Sequence, residues 1–170
     1  GKGVVGVDER LMVEAVVENR GRGGSEALCC YAGWLVKKMR SADAEEVLLA
    51  GLEKSATDVA VLLLLARIYA RHGARGPALE VSRRAFVSAP SDPSAVAAFA
   101  RAVVAQGAVS GARPPGKKGA GAEAAKRATA AEALYRYAGL LQRGEAPRKI
   151  VEKFIDEAFI LKTGGGGMTD

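Results

Sequence analysis

Aromatic residues are scarce in this chain, 5% of its 170 positions, which is thin for the core of a β-sandwich or barrel. Long apolar runs are missing too. The longest, Val59 to Ala66, falls far short of the roughly 20 residues that span a bilayer, so no membrane span is expected. Gly1 to Val7 has neither the basic start nor the apolar stretch of a secretory signal, and the chain starts without methionine, which leads us to expect a fragment or a processed product. Histidine occurs once and cysteine twice. A tetrahedral metal site cannot be assembled from His72, Cys29 and Cys30 without carboxylates at a suitable spacing, and none is found. A nucleophile and base would have to be drawn from the same three residues, with no local motif in support. His72, just before Gly73, is expected to cap a helix end with its imidazole. Cys29 and Cys30 are neighbours in a helical stretch, where their side chains diverge by about 100° and do not pair easily. They read as small core residues of a protein in the cytoplasm or another reducing compartment.

Two glycine motifs are incomplete. Gly1, Gly3 and Gly6 have the spacing of a dinucleotide fingerprint, but no strand precedes them. Gly111, Gly116 and Lys117 imitate the start of a P-loop, yet Lys118 stands where a magnesium-holding hydroxyl is needed and Pro114 and Pro115 remove amides from the cradle. No cofactor and no catalytic residue is expected.

What the chain has in abundance is alanine, leucine, valine and arginine, a helix-forming set, and a length that allows about four to five helical pairs. Its formal charge of +6 favours an acidic partner, whether peptide, RNA or anionic surface. The pattern of the apolar residues returns after 34 positions. Ser25 to Asp58 aligns without a gap on Val59 to Asp92, placing Leu28 over Leu62, Ala32 over Ala66, Leu35 over Tyr69, Ala44 over Ala78 and Gly51 over Ala85. Val96, Phe99, Ala100 and Val103 then begin a third copy, of which only the first half is present. Small residues where two helices cross, with large ones on the flanks, fit antiparallel pairs that stack to share one core.

Through Leu62, Leu65, Ala66, Tyr69, Gly73, Ala78, Ala85 and Pro90 the chain resembles the tetratricopeptide repeat family. Leu62 replaces the family's usual tryptophan, Ser82 its second-helix aromatic, and Ala56 the final proline of the first copy. The resemblance implies an all-α fold, helix-turn-helix repeats stacked as a right-handed α-solenoid. It also implies that the first helix of each pair lines an inner, concave surface.

Along the chain we expect an N-terminal helix from Asp8 to Asn19, capped by Asp8, and a glycine-rich linker closing the segment 1–24. The repeats occupy 25–107, with helices over Glu26 to Met39 capped by Ser25, from Ser41 or Asp43 to about Ser55, Val59 to His72 ended by Gly73, Pro77 to Ser88, and Ser94 to Gln106. A flexible basic Gly/Pro loop follows over 108–122. Glu123 to Gln142 resumes helical periodicity as a possible delayed second helix of the third copy. Arg148 to Lys162 is a last helix, either a cap on the solenoid or a docking helix through Phe154, Ile155 and Phe159. The tail 164–170 is expected to be disordered.

Two basic features stand out. Lys37 and Arg71 hold the same place in successive copies, as do Arg67 and Arg101, which would put cations along the concave groove facing an acidic or helical segment of a protein partner. Family members that clamp a terminal carboxylate use lysine and asparagine there; Cys29 and Gly33 stand at two such places here, so the resemblance does not extend to that activity. Arg113, Lys117, Lys118, Lys126 and Arg127 form the second cluster, able to lie along phosphates but without interleaved aromatics for base stacking. The expected function is a noncatalytic scaffold or adaptor subunit of a larger assembly. The alternative is an RNA-associated repeat subunit of a ribonucleoprotein such as a signal-recognition or ribosomal particle.

Overall fold

The computed structural model describes residues 6–18, 25–106 and 120–163. Every regular element among them is a helix: α1 (Val7–Glu18), α2 (Ser25–Lys37), α3 (Ser41–Lys54), α4 (Val59–Arg71), α5 (Arg75–Ser88), α6 (Pro93–Ala105), α7 (Ala120–Arg143) and α8 (Arg148–Thr163). The 34-residue period reappears in the backbone. α2, α4 and α6 begin at Ser25, Val59 and Pro93 and end at Lys37, Arg71 and Ala105, while α3 and α5 begin at Ser41 and Arg75 and end at Lys54 and Ser88. Each of these boundaries falls 34 positions after its predecessor.

Local chemistry explains the repeated starts and stops. Asp58 and Asp92 precede α4 and α6, and their carboxylates accept hydrogen bonds from the Val61 and Ser94 amides at 3.2 and 2.8 Å. Pro93 follows Asp92 in the first position of α6, where its missing amide costs nothing. The turn after α4 closes through Gly73, at φ +71°, with the Ala74 amide donating to the Tyr69 carbonyl. Its counterpart after α2 uses Met39 at φ 61°, with the Arg40 amide donating to Leu35, and the turn after α7 uses Glu145 at φ 57°, with the Ala146 amide donating to Leu141. All three share the bond pattern in which a left-handed residue ends a helix and reverses the chain.

Several expected details differ. α1 begins at Val7, so Asp8 lies in its first turn, favourable for the helix dipole, without being the residue before the helix. Ser25 is the first residue of α2, and Met39 lies beyond its end because its left-handed backbone stops the helix. α3 is preceded by Arg40, whose guanidinium meets Asp43 at 2.6 Å. α7 starts at Ala120, three residues early, since alanine continues a helix at little cost. Most of the expected 108–122 loop, the 164–170 tail and the linker at 19–24 lie outside the described residues.

The chain divides into two compact units, Gly1–Ser88 and Ala89–Asp170. In the first, α2 packs on α3 and α4 on α5, α2 and α4 lie side by side, and α1 packs on α2 as α3 packs on α4. Its core includes Ala32, Leu35, Ala44, Leu48, Leu62, Leu65, Ala66, Ala78 and Ala85, most of them repeat positions of the sequence. At Gly51 a Cβ would run into the Leu28 side chain, which is why α3 approaches α2 there on a glycine. Ser82, standing where an aromatic is usual, is fully buried, and its hydroxyl donates to the Leu79 carbonyl at 3.0 Å.

The second unit contains α6, α7 and α8, packed in succession. α6 packs on α7, which fits the expectation of a delayed second helix for the third copy. One hydrogen bond makes α7 the counterpart of α5. Arg84 on α5 donates to the carbonyl of Ala56, two residues before the capping Asp58; Arg136 on α7 donates to the carbonyl of Pro90, two residues before the capping Asp92. Ala56 and Pro90 are 34 positions apart, and the two arginines are separated further by the inserted segment.

Candidate functional site

The first-helix face of the N-terminal unit is built by α2 and α4 lying side by side. Their buried stripes, Ala32 and Leu35 on α2 and Leu62, Leu65 and Ala66 on α4, point into the core, which turns Cys30 and Lys37, and Ala60, Arg67 and Arg71, outward. Cys29 and Gly33 on α2 and Leu63 and Leu64 on α4 are half-buried. Lys37 and Arg71 occupy equivalent last-turn positions, where a cation also complements the helix dipole. Neither they nor Arg67 make an ion pair among the described residues. The expected cations therefore stand on this face unpaired, with Arg67 one turn ahead of Arg71.

Arg101, the fourth groove residue, belongs to the C-terminal unit and is engaged there. Its guanidinium lies over the Tyr137 ring, 5.8 Å from the centroid, and donates to the Tyr137 hydroxyl at 3.3 Å. Lys38, next to Lys37, stands 5.7 Å over the Trp34 ring.

The sulfur and imidazole groups correct two expectations. Cys30 is exposed and Cys29 only half-buried, so the pair is not part of the core; both are free thiols. The buried residues of α2 are instead Ala32 and Leu35. Burial, helped by nearby Asp58, pushes the Cys29 thiol up to about 11. His72 does cap α4, but through its backbone amide, which donates to the Ile68 carbonyl; the exposed imidazole makes no hydrogen bond among the described residues.

Of the second basic cluster, Arg113, Lys117 and Lys118 lie outside the described residues. Lys126 and Arg127 are on α7, where Lys126 pairs with Glu123 at 3.5 Å and Arg127 is half-buried. On α8, Phe154 meets Tyr137 edge-on, with centroids 4.9 Å apart, while Ile155 and Phe159 are exposed one turn apart.

Three features escaped the sequence. Glu9 of α1, 8% exposed, accepts from Arg40 at 2.8 Å and from the Tyr31 hydroxyl at 3.1 Å, tying α1 to the first pair. Glu45 accepts from the Tyr69 hydroxyl at 2.8 Å, and burial together with that bond pushes the phenol up to about 12. A cavity of about 520 Å³ opens between α1 and the α2–α3 pair. None carries a local motif; only the 34-residue alignment, which sets Ala50 against Arg84, hints at the third. Among the described residues no cluster of His, Cys, Asp and Glu could hold a metal ion, and no helix is long and apolar enough to cross a membrane.

No family model, curated protein or solved structure matches the chain. The resemblance to the tetratricopeptide repeat family therefore rests on the internal repeat of the sequence alone.

Proposed function

We propose that this chain is a noncatalytic, tetratricopeptide-like interaction scaffold that holds an acidic segment of a protein partner against the α2–α4 face. The observation that carries this reading is the trio Lys37, Arg67 and Arg71, exposed and without an ion pair among the described residues, on two neighbouring first helices of successive repeats. Three cations on two adjacent helices attract carboxylates, and the half-buried Cys29, Leu63 and Leu64 of the same helices offer apolar contact, a combination suited to a short acidic segment with an apolar anchor. Arg40, Arg83, Arg136 and Arg148, by contrast, are held in ion pairs.

The test is capture of the partner from the native source with and without nuclease, using the wild-type chain and a Lys37→Glu, Arg67→Glu, Arg71→Glu triple variant. A protein that survives nuclease, is lost with the triple variant and is released by salt supports the reading. A protein retained equally by both chains sinks the assignment to this face. Loss on nuclease treatment would move the function to RNA and to the cluster from Arg113 to Arg127.

A further inference from the structure

The structure assigns a second binding site to the N-terminal unit: the cavity between α1 and the first helical pair takes a medium-chain aliphatic carboxylate, with its chain along the valines and its head at Lys54. The site owes its existence to a break in the repeat. In the second pair Arg84 closes the corresponding end of the hairpin by reaching the Ala56 carbonyl, and Arg136 does the same at Pro90 in the pair formed by α6 and α7. The residue 34 positions before Arg84 is Ala50, whose methyl spans nothing. Ala50 and its neighbour Gly51 both line a space of about 520 Å³, within the range of small-molecule sites.

The lining is graded along its length. Val13 and Val47 make one end aliphatic, with the Tyr31 ring beside them, its hydroxyl held by Glu9. Val16, Leu28 and Val61 continue the wall. The opposite end gathers Ser25 at the start of α2, Lys54 and Ser55 at the end of α3, and Asp58. Asp58 is committed to the Val61 amide. Lys54 has no partner among the described residues, so the cation available to a guest's polar head is its ammonium, beside the Ser25 hydroxyl and the positive end of α2. An unbranched chain suits a space walled mostly by valine and leucine, with Tyr31 its one aromatic among the described residues, and an anionic head suits an ammonium that has no partner among them. Val13 and Val17 are 39% and 48% exposed, which leaves the space open for entry.

The test titrates the full chain with octanoate, butyrate and 1-octanol by calorimetry and follows the valine methyls by NMR. Octanoate is expected to bind one per chain, to shift Val13, Val16, Val47 and Val61, and to bind about a hundredfold more tightly than butyrate, which lacks most of the aliphatic chain. Ala50→Trp fills the space from an exposed position where the second repeat already carries a long side chain, and should abolish binding in a protein whose helical circular dichroism is unchanged. Lys54→Gln should weaken octanoate about tenfold and leave 1-octanol unaffected. The assignment is overturned if octanoate fails to bind, if folded Ala50→Trp binds it like the wild type, or if 1-octanol equals octanoate in both wild type and Lys54→Gln. It is equally overturned if Phe159→Asp, which changes only the exposed apolar surface of α8, removes binding.

Discussion

The first and second helical pairs have the same boundaries and small residues at the same crossings, yet they are not equally well closed. In the second pair Leu62 is fully buried, Gly73 takes the left-handed turn, and Arg84 seals the end of the hairpin. In the first, Leu28 is half-buried beside a cavity, Met39 takes the left-handed turn at 91% exposure, and Ala50 seals nothing. A shared period thus specifies where helices begin, end and cross, while individual side chains decide how tightly each copy is packed. The looser copy is also the one that offers unoccupied space.

The largest expected difference between the copies lies in their equivalent leucines. Leu62→Ala removes a fully buried side chain from a closed core and should cost about 3 kcal/mol in chemical denaturation. Leu28→Ala should cost about half as much or less, because its side chain already borders open volume. Equal losses would mean that the first pair is as well packed as the second.

Next come the turns. Met39→Gly should raise stability by about 1 kcal/mol by relieving a left-handed non-glycine residue, and Gly73→Ala should lower it by a similar amount, since its φ of +71° strains any L side chain although space is open there. Circular-dichroism melts of the two variants read both signs. If the substitutions move stability in the same direction, the two turns are not equivalent.

The smallest effect is expected on the alkaline side and again separates the copies. Cys29 of the first pair is raised from 9.0 to about 11, and Tyr69 of the second from 10.0 to about 12. The folded state holds each of these protons longer than the unfolded one. The associated stability is therefore complete below each group's ordinary value and is lost as pH rises, over about 9 to 11 for Cys29 and about 10 to 12 for Tyr69. Cys29→Ala should flatten the earlier part of the decline and Tyr69→Phe the later part in pH-dependent denaturation; wild-type slopes in both variants would remove this account. At neutral pH exposed Cys30 should react with iodoacetamide well before Cys29, which mass spectrometry of the labelled peptide resolves.

Most of the helical architecture was legible because its signals are local or periodic. Asp58, Asp92, Pro93 and Gly73 mark helix ends through their own backbone and side-chain chemistry, and the apolar stripe of each helix follows from its 3.6-residue turn. The exposed cations Lys37, Arg67 and Arg71 were legible for the same reason, since a position off the core stripe must face outward. Met39 was not, because nothing about an isolated methionine announces a left-handed backbone; only its position 34 residues before Gly73 does. The engagement of Arg101 by Tyr137 and the cavity beside Ala50 depend on which side chains meet from distant segments, and no local pattern reports that.

The sequence by itself determined that the chain is all-helical, that its helical pairs recur every 34 residues, and that small residues stand where helices cross. Spacing along one chain is sufficient for each of these. Tertiary structure alone decided that Glu9 is buried against Arg40 and Tyr31, that α7 completes the pair begun by α6 through Arg136 and Pro90, and that the missing arginine at Ala50 leaves open space. Those outcomes turn on the three-dimensional meeting of groups from 22 to 46 positions apart, where side-chain length decides whether a gap is bridged or left open.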